Sequence, residues 1–143
     1  MPNPAIIPET EIANRLVAGG LSLTLATNLF VCPLMPPSDL IPRECTFAFA
    51  SQPGPPPKMY FGVSPTREDF REFWVQVVHR ASPDAWTTGL AKSRAIFAAL
   101  HRVTPSGTGY FSIHCRDADP VFMGLDNLEC PRWTINAVLW YKG

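Results

Sequence analysis

The stretch from Phe73 to His101 constrains the fold more than any other part of the chain. It opens on Phe-Trp-Val-Gln-Val-Val-His-Arg, whose β-branched, partly alternating side chains suit a pleated, half-buried surface. Ala81-Ser82-Pro83-Asp84 follows, and then an amphipathic segment from Ala85 to Leu100. The reading is a strand, a capped turn and the longest helix of the chain. Ser82 offers a hydroxyl to the first turn, Pro83 suits the first helical position, and Asp84 suits the positive end of the helix dipole. Trp86, Leu90, Phe97 and Leu100 recur at spacings of four, seven and three, with Ser93 in the gap. That is one apolar stripe of the width a sheet-facing helix needs. Gly89 within it costs about 1 kcal/mol relative to Ala, so tertiary packing has to hold this helix, and the rest of the chain must supply strands beneath it.

Those strands can be read along the sequence. Residues 1–8 form a Pro-rich arm, followed by a short helix from about Glu9 to Ala18 that Gly19-Gly20 stops. Its apolar face is Ile12, Ala13, Leu16 and Val17. Leu21, Leu23 and Leu25 alternate with Ser and Thr, as a short strand or an extended connection would. Asn28–Cys32 reads as a strand closed by Pro33, and Cys45–Ala50 as a second, with a turn-rich loop from Met35 to Asp39 between them. Pro53-Gly54-Pro55-Pro56-Pro57 is a stiff connector, because proline has no backbone donor for a sheet. Met59–Glu72 reads as a charged loop or short turn leading into the Phe73 strand. Thr104–Gly107 is a turn, Tyr110–Cys115 a strand, and Arg116–Pro131 an irregular segment. Arg132–Tyr141 is the last strand, with Trp133, Ile135, Ala137, Leu139 and Tyr141 on one face and Thr134, Asn136, Val138 and Trp140 on the other. A tryptophan on the less apolar face implies that this face is covered too, by another subunit. The sum is one α+β domain over residues 9–143: a mainly antiparallel, mixed sheet with one long and one short N-terminal helix packed on it.

A chain of 143 residues is long enough to build a core without disulfides. Twelve basic residues balance twelve acidic ones, which argues against a protein whose main task is to coat nucleic acid. The sixteen prolines cluster in arms and loops. Cys32, Cys45, Cys115 and Cys130 form no C-x-x-C pair and sit in or beside apolar runs, as reduced structural thiols do in cytosolic proteins. The uncharged stretch between Arg15 and Asp39 is broken by Gly19-Gly20, Asn28 and Pro33, so no membrane span is expected.

Catalytic signals are weak. His114 and Cys115 are neighbours on a strand and point to opposite faces, so they cannot form a thiolate–imidazolium dyad by themselves. The expected arrangement is a buried cysteine beside an exposed histidine. Asp117, Asp119, Asp126 and Glu129 share a loop that could hold a divalent cation, but their spacing matches no EF-hand. The three histidines are too scattered for a zinc site, and neither Gly107-x-Gly109 nor Gly19-Gly20 makes a phosphate-binding loop. No catalytic, cofactor or metal residue is assigned, and the chain does not read as an enzyme. What stands out is apolar material on loops: Pro55, Pro56 and Pro57 leading to Met59, Tyr60 and Phe61, and the run Val121, Phe122, Met123. Such patches mark partner surfaces. Arg67, Glu68, Asp69 and Arg71 alternate in sign, as a surface meeting a charged neighbour would.

The ordered motifs resemble those of bacteriophage minor capsid proteins of the tail-terminator type. Asn28-Leu29-Phe30-Val31-Cys32-Pro33-Leu34-Met35-Pro36 is similar to their NLFxGxLP segment, and Gly54-Pro55-Pro56-Pro57 to the GxPP that follows. Val75-Gln76-Val77-Val78-His79-Arg80 resembles their vQVxVR strand, and Leu100-His101 sits where their long helix ends. Pro120-Val121-Phe122-Met123-Gly124-Leu125-Asp126-Asn127 resembles their PxfLGxDexgr loop. Cys32 replaces a usual glycine, His79 interrupts the strand motif, and Leu125 separates Gly124 from Asp126. The resemblance spans about Glu9 to Tyr141. It implies a structural virion protein assembled in the host cytoplasm and placed at the head–tail junction, as a hexameric ring that caps the tail tube and ends its polymerisation. Its implied partners are further copies of itself, the tail tube protein, the head-side connector, and genomic DNA passing through the lumen without being read. A head–tail connector or stopper ring is the alternative, and a small metal-dependent hydrolase using Asp117, Asp119 and Asp126 a distant one.

Overall fold

The computed structural model describes residues 7–31, 41–52, 70–104 and 110–142. The chain order is α1 (Pro8–Ala18), β1 (Leu29–Val31), β2 (Cys45–Gln52), β3 (Phe70–Arg80), α2 (Trp86–Leu100), β4 (Tyr110–Cys115), β5 (Val121–Leu125) and β6 (Pro131–Lys142). This is the expected α+β arrangement, a six-stranded, mostly antiparallel sheet with helices packed on it. β3 and β6 form its spine, antiparallel over their full length from Phe70↔Lys142 to Arg80↔Arg132. β2 adds antiparallel to β3, and β1 adds parallel to β2. The other edge of β6 is shared: β4 pairs with Ala137–Tyr141, and β5 with Pro131–Thr134.

The period-two reading of β6 holds. Ile135, Ala137 and Leu139 lie opposite Val77, Val75 and Phe73, and these join Ile12 and Leu16 of α1 and Ile96 and Leu100 of α2 in one core. Both helices therefore lie on the same face of the sheet. The other face carries Trp74, Gln76, Asn136 and Trp140, and among the described residues no helix covers it.

Local expectations fare less evenly. Ser82, Pro83 and Asp84 do not open α2; they form a turn closed by the Ala85 N–H donating to the Ser82 carbonyl at 3.0 Å. The helix begins at Trp86, and its N-cap, Ala85, makes no side-chain cap. The buried stripe of α2 is Gly89, Ser93, Ile96 and Leu100, rotated from the expected one, and Trp86 stands partly in solvent. The reason is Gly89. A Cβ there would lie 2.5 Å from the Ala81 Cβ and 2.7 Å from Cζ3 of Trp133, so the helix backbone itself packs on the Trp133 ring. Ser93, fully buried, satisfies its hydroxyl on the Gly89 carbonyl at 2.9 Å.

Leu21–Leu25 is a connection, not a strand. Its turn is organised by Asn28, whose amide oxygen accepts the Thr24 N–H at 2.6 Å while its NH₂ donates to the Ser22 carbonyl at 3.0 Å. Arg71 and Glu72 are not loop residues: β3 already runs from Phe70, and they pair with Tyr141 and Trp140. The supposedly irregular Arg116–Pro131 segment contains β5. Gly124, at φ +86°, absorbs the register shift between Phe122 and Leu125, which disguises the strand as a loop in the sequence. The expected loops at 35–39, 53–57 and 59–69, and most of the turn at 104–107, lie outside the described residues.

Candidate interaction surface

β5 places a run of large apolar side chains on the surface. Its sequence, Val-Phe-Met-Gly-Leu, has no charge and no polar side chain. In a strand paired on one edge only, such residues have little to bury them. Phe122 stays 44% exposed, Met123 51%, Leu125 58% and, in the following turn, Leu128 56%. Phe122 leans onto the helix-side layer. Its ring meets Trp86 edge-to-face at 4.6 Å and Trp133 at 5.8 Å, and Trp86 lies 5.2 Å from Trp133. Trp133 is buried, so it fixes the other two rings, and these present a rigid aromatic surface continuous with β5.

The turn after β5 is held by Asp126. Its Oδ1 accepts the N–H groups of Leu128 at 2.9 Å and Cys130 at 3.0 Å, and its Oδ2 accepts Nη1 of Arg80 at 3.3 Å. These donors and the Arg80 and Arg132 charges hold its carboxyl below the usual range, against the opposing effect of desolvation. Arg80 is fully engaged, donating also to the Arg43 carbonyl at 2.8 Å and the Pro42 carbonyl at 2.6 Å. Beside it lies an open cavity of about 370 Å³ lined by Ile41, Arg80, Leu125, Asp126, Asn127, Leu128 and Arg132. Arg132 Nε is buried and has no hydrogen-bond partner among the described residues.

The helix-free face of the sheet is polar and aromatic. The Arg116 guanidinium sits 3.9 Å over the Trp74 ring, and Trp140 has His114 stacked near it at 6.2 Å and Phe111 at 6.4 Å. A side-chain chain crosses this face from Gln76 to Asn136 at 3.1 Å and from Asn136 to Asp117 at 2.8 Å. Trp140 is therefore partly buried within its own chain; His114 is half-buried rather than exposed.

The loop carboxylates do not converge. Asp117 binds Asn136, Asp119 pairs with Arg94 at 3.0 Å on the surface, and Asp126 is committed to its turn and Arg80. Among the described residues no three His, Cys, Asp or Glu side chains are grouped as metal ligands would be. Cys115 and His114 lie on opposite faces of β4, and burial pushes the Cys115 thiol up to about 12. Burial likewise pushes Cys45 to about 11 and raises Cys130; these three thiols are free. Cys32 lies outside the described residues. His79 is fully buried, and desolvation, helped by the Lys92 charge, lowers it to about 4.

Of the residues singled out in the sequence, Val121, Phe122 and Met123 stand together on the surface as expected. Arg71 is half-buried in β3, at the opposite end of the sheet spine from β5. Pro55, Pro56, Pro57, Met59, Tyr60, Phe61, Arg67, Glu68 and Asp69 lie outside the described residues. Sequence reasoning missed Trp86, Leu125 and Leu128 as surface residues and the Arg80–Arg132 cavity altogether. The leucines could have been found, because they extend the Val121–Met123 run. The cavity could not, because its arginines come from two different strands. None of the described helices is long and apolar enough to cross a membrane. No family model matches the sequence, and no curated protein matches it.

Proposed function

We propose that this chain is a structural protein of a tailed phage that assembles into a hexameric ring, caps the tail tube, ends its polymerisation and gives the head-side connector a surface to dock on. The motif order from Asn28 to Asn127 supplies the family reading. The observation that carries it is the exposed apolar strand β5 with Trp86 and Leu128 beside it. A monomer that keeps these six large apolar side chains in water gains by covering them, and aromatic anchors of this kind are what interfaces between subunits use. The separate engagement of Asp117, Asp119 and Asp126 favours this reading over hydrolysis.

Light scattering over a concentration series, with and without tail tubes purified from the same virus, tests the proposal. A hexamer in solution, or a monomer that assembles only on tube ends, supports it. A chain that ignores tubes but binds DNA-filled heads moves the reading to a connector or stopper ring. A monomer that binds neither overturns it.

A further inference from the structure

We propose that the cavity floored by Arg80 and Arg132 receives the first turn of α1 from a second copy of this chain, with Glu9 as the charge and Ile7 as the apolar contact. The proposal rests on the ring reading above and names the two surfaces that would meet. The cavity combines two guanidiniums with one carboxylate, and that carboxylate is already occupied by two backbone N–H groups and Arg80. Arg132 is the less committed cation: its charge bears on Asp126, but among the described residues it makes no ion pair, and its Nε is buried without a partner. A planar guanidinium in that state suits a carboxylate, which its fork can bind bidentately. Leu125 and Leu128 wall the cavity and stay more than half exposed, so the incoming carboxylate should carry an apolar neighbour.

The start of α1 has that composition. Ile7 is 57% exposed, and Glu9 and Glu11 make the first turn acidic. Glu11 is buried, which leaves the half-buried Glu9 as the more accessible acid of this turn, and among the described residues Glu9 forms no ion pair. The two surfaces cannot meet within one chain. The charges of Glu11 and Glu9 bear on Tyr110, which pairs with Tyr141 at the far end of β6, whereas the cavity lies at the Arg132 end. Those ends are about 30 Å of strand apart. Two complementary surfaces at opposite ends of a subunit make a head-to-tail contact, the kind that closes into a ring when the rotation permits.

The test uses the full chain carrying Arg132→Glu, Glu9→Arg or both, assayed for assembly in solution and on tube ends, with thermal unfolding as a check of the fold. Each single variant is expected to weaken assembly at least tenfold, and the doubly reversed chain to recover most of it. An equimolar mixture of the two single variants should assemble far better than either alone, because every contact between unlike chains in an alternating ring pairs opposite charges. If Arg132→Glu fails to fold, Arg132→Gln and Glu9→Arg carry the same test. Wild-type assembly with unchanged assembly of Glu9→Arg and Arg132→Gln would overturn this pairing and leave the ring reading standing. Loss in both single variants without recovery in the double would also overturn it. A wild-type chain that never assembles would overturn both.

Discussion

Replacing Gly89 by Ala should destabilise the protein, although Ala is the better helix former. In an open helix the exchange would gain about 1 kcal/mol. Here the new methyl would sit 2.5 Å from the Ala81 Cβ and 2.7 and 2.9 Å from Cζ3 and Cη2 of Trp133. Neither neighbour can give way cheaply. Ala81 is buried main-chain-proximal carbon at the end of β3, and the Trp133 ring is wedged against Trp86 and Phe122. Overpacking a close-packed core costs about 1–3 kcal/mol, and more where backbone must shift. With three contacts below 3 Å, to two residues, the upper part of that range applies, and the net loss after the propensity gain is about 2 kcal/mol. For a domain of this size that lowers Tm by roughly 8 °C. Thermal unfolding followed by circular dichroism measures it, with tryptophan fluorescence reporting displacement of Trp133. The control is Thr88→Ala at an exposed position of the same helix, where a small gain is expected. An increase in stability in Gly89→Ala would refute the packing account.

Three further outcomes follow from the same structure. His79 is neutral and buried, with Thr46 Oγ1 3.0 Å from its Nδ1, so the unfolded chain takes up a proton near pH 6.5 that the folded chain refuses until about pH 4. Its contribution is complete above pH 6.5 and is lost as pH falls towards 4, by about 3 kcal/mol; the stability difference between wild type and His79→Leu should therefore vary over that window, and a pH-independent difference would refute it. Asp126→Ala should cost about 2 kcal/mol, because it strips two backbone donors and Arg80 of their acceptor, whereas Asp119→Ala, on an exposed pair, should leave the unfolding temperature unchanged. Cys45 and Cys115, held protonated by burial, should resist alkylation at pH 8 in the folded protein and react after denaturation, as mass spectrometry of the labelled peptides would show.

Much of the fold was legible because its central elements follow a simple period. β6 alternates over its length, and the valines of β3 and the Cys45 strand are consistent with it. The errors have physical causes. Gly89 reads as a helix weakness in the sequence, yet it is the point of closest approach to the sheet; assigning Trp86 and Leu90 to the buried stripe turned α2 by part of a turn. Pro120 and Gly124 read as loop residues, yet Gly124 only bends β5. The parallel pairing of β1 with β2 has no local signature, since it depends on where tertiary packing carries the chain after Val31. The candidate surface was half visible. An apolar run such as Val121–Met123 can be seen in a sequence, but the neighbours that make it a surface, Trp86 from a helix and Leu128 from a turn, come together only in three dimensions.

The central claim is that the chain caps a tail tube, and tube growth measures that most directly. Purified tube protein would be polymerised with and without the full chain and examined by negative-stain electron microscopy. The account predicts tubes that stop growing with a ring of extra density at one end, at a stoichiometry fixed per tube and independent of tube length. Tubes that keep elongating with bare ends, or protein bound along their sides, would contradict it.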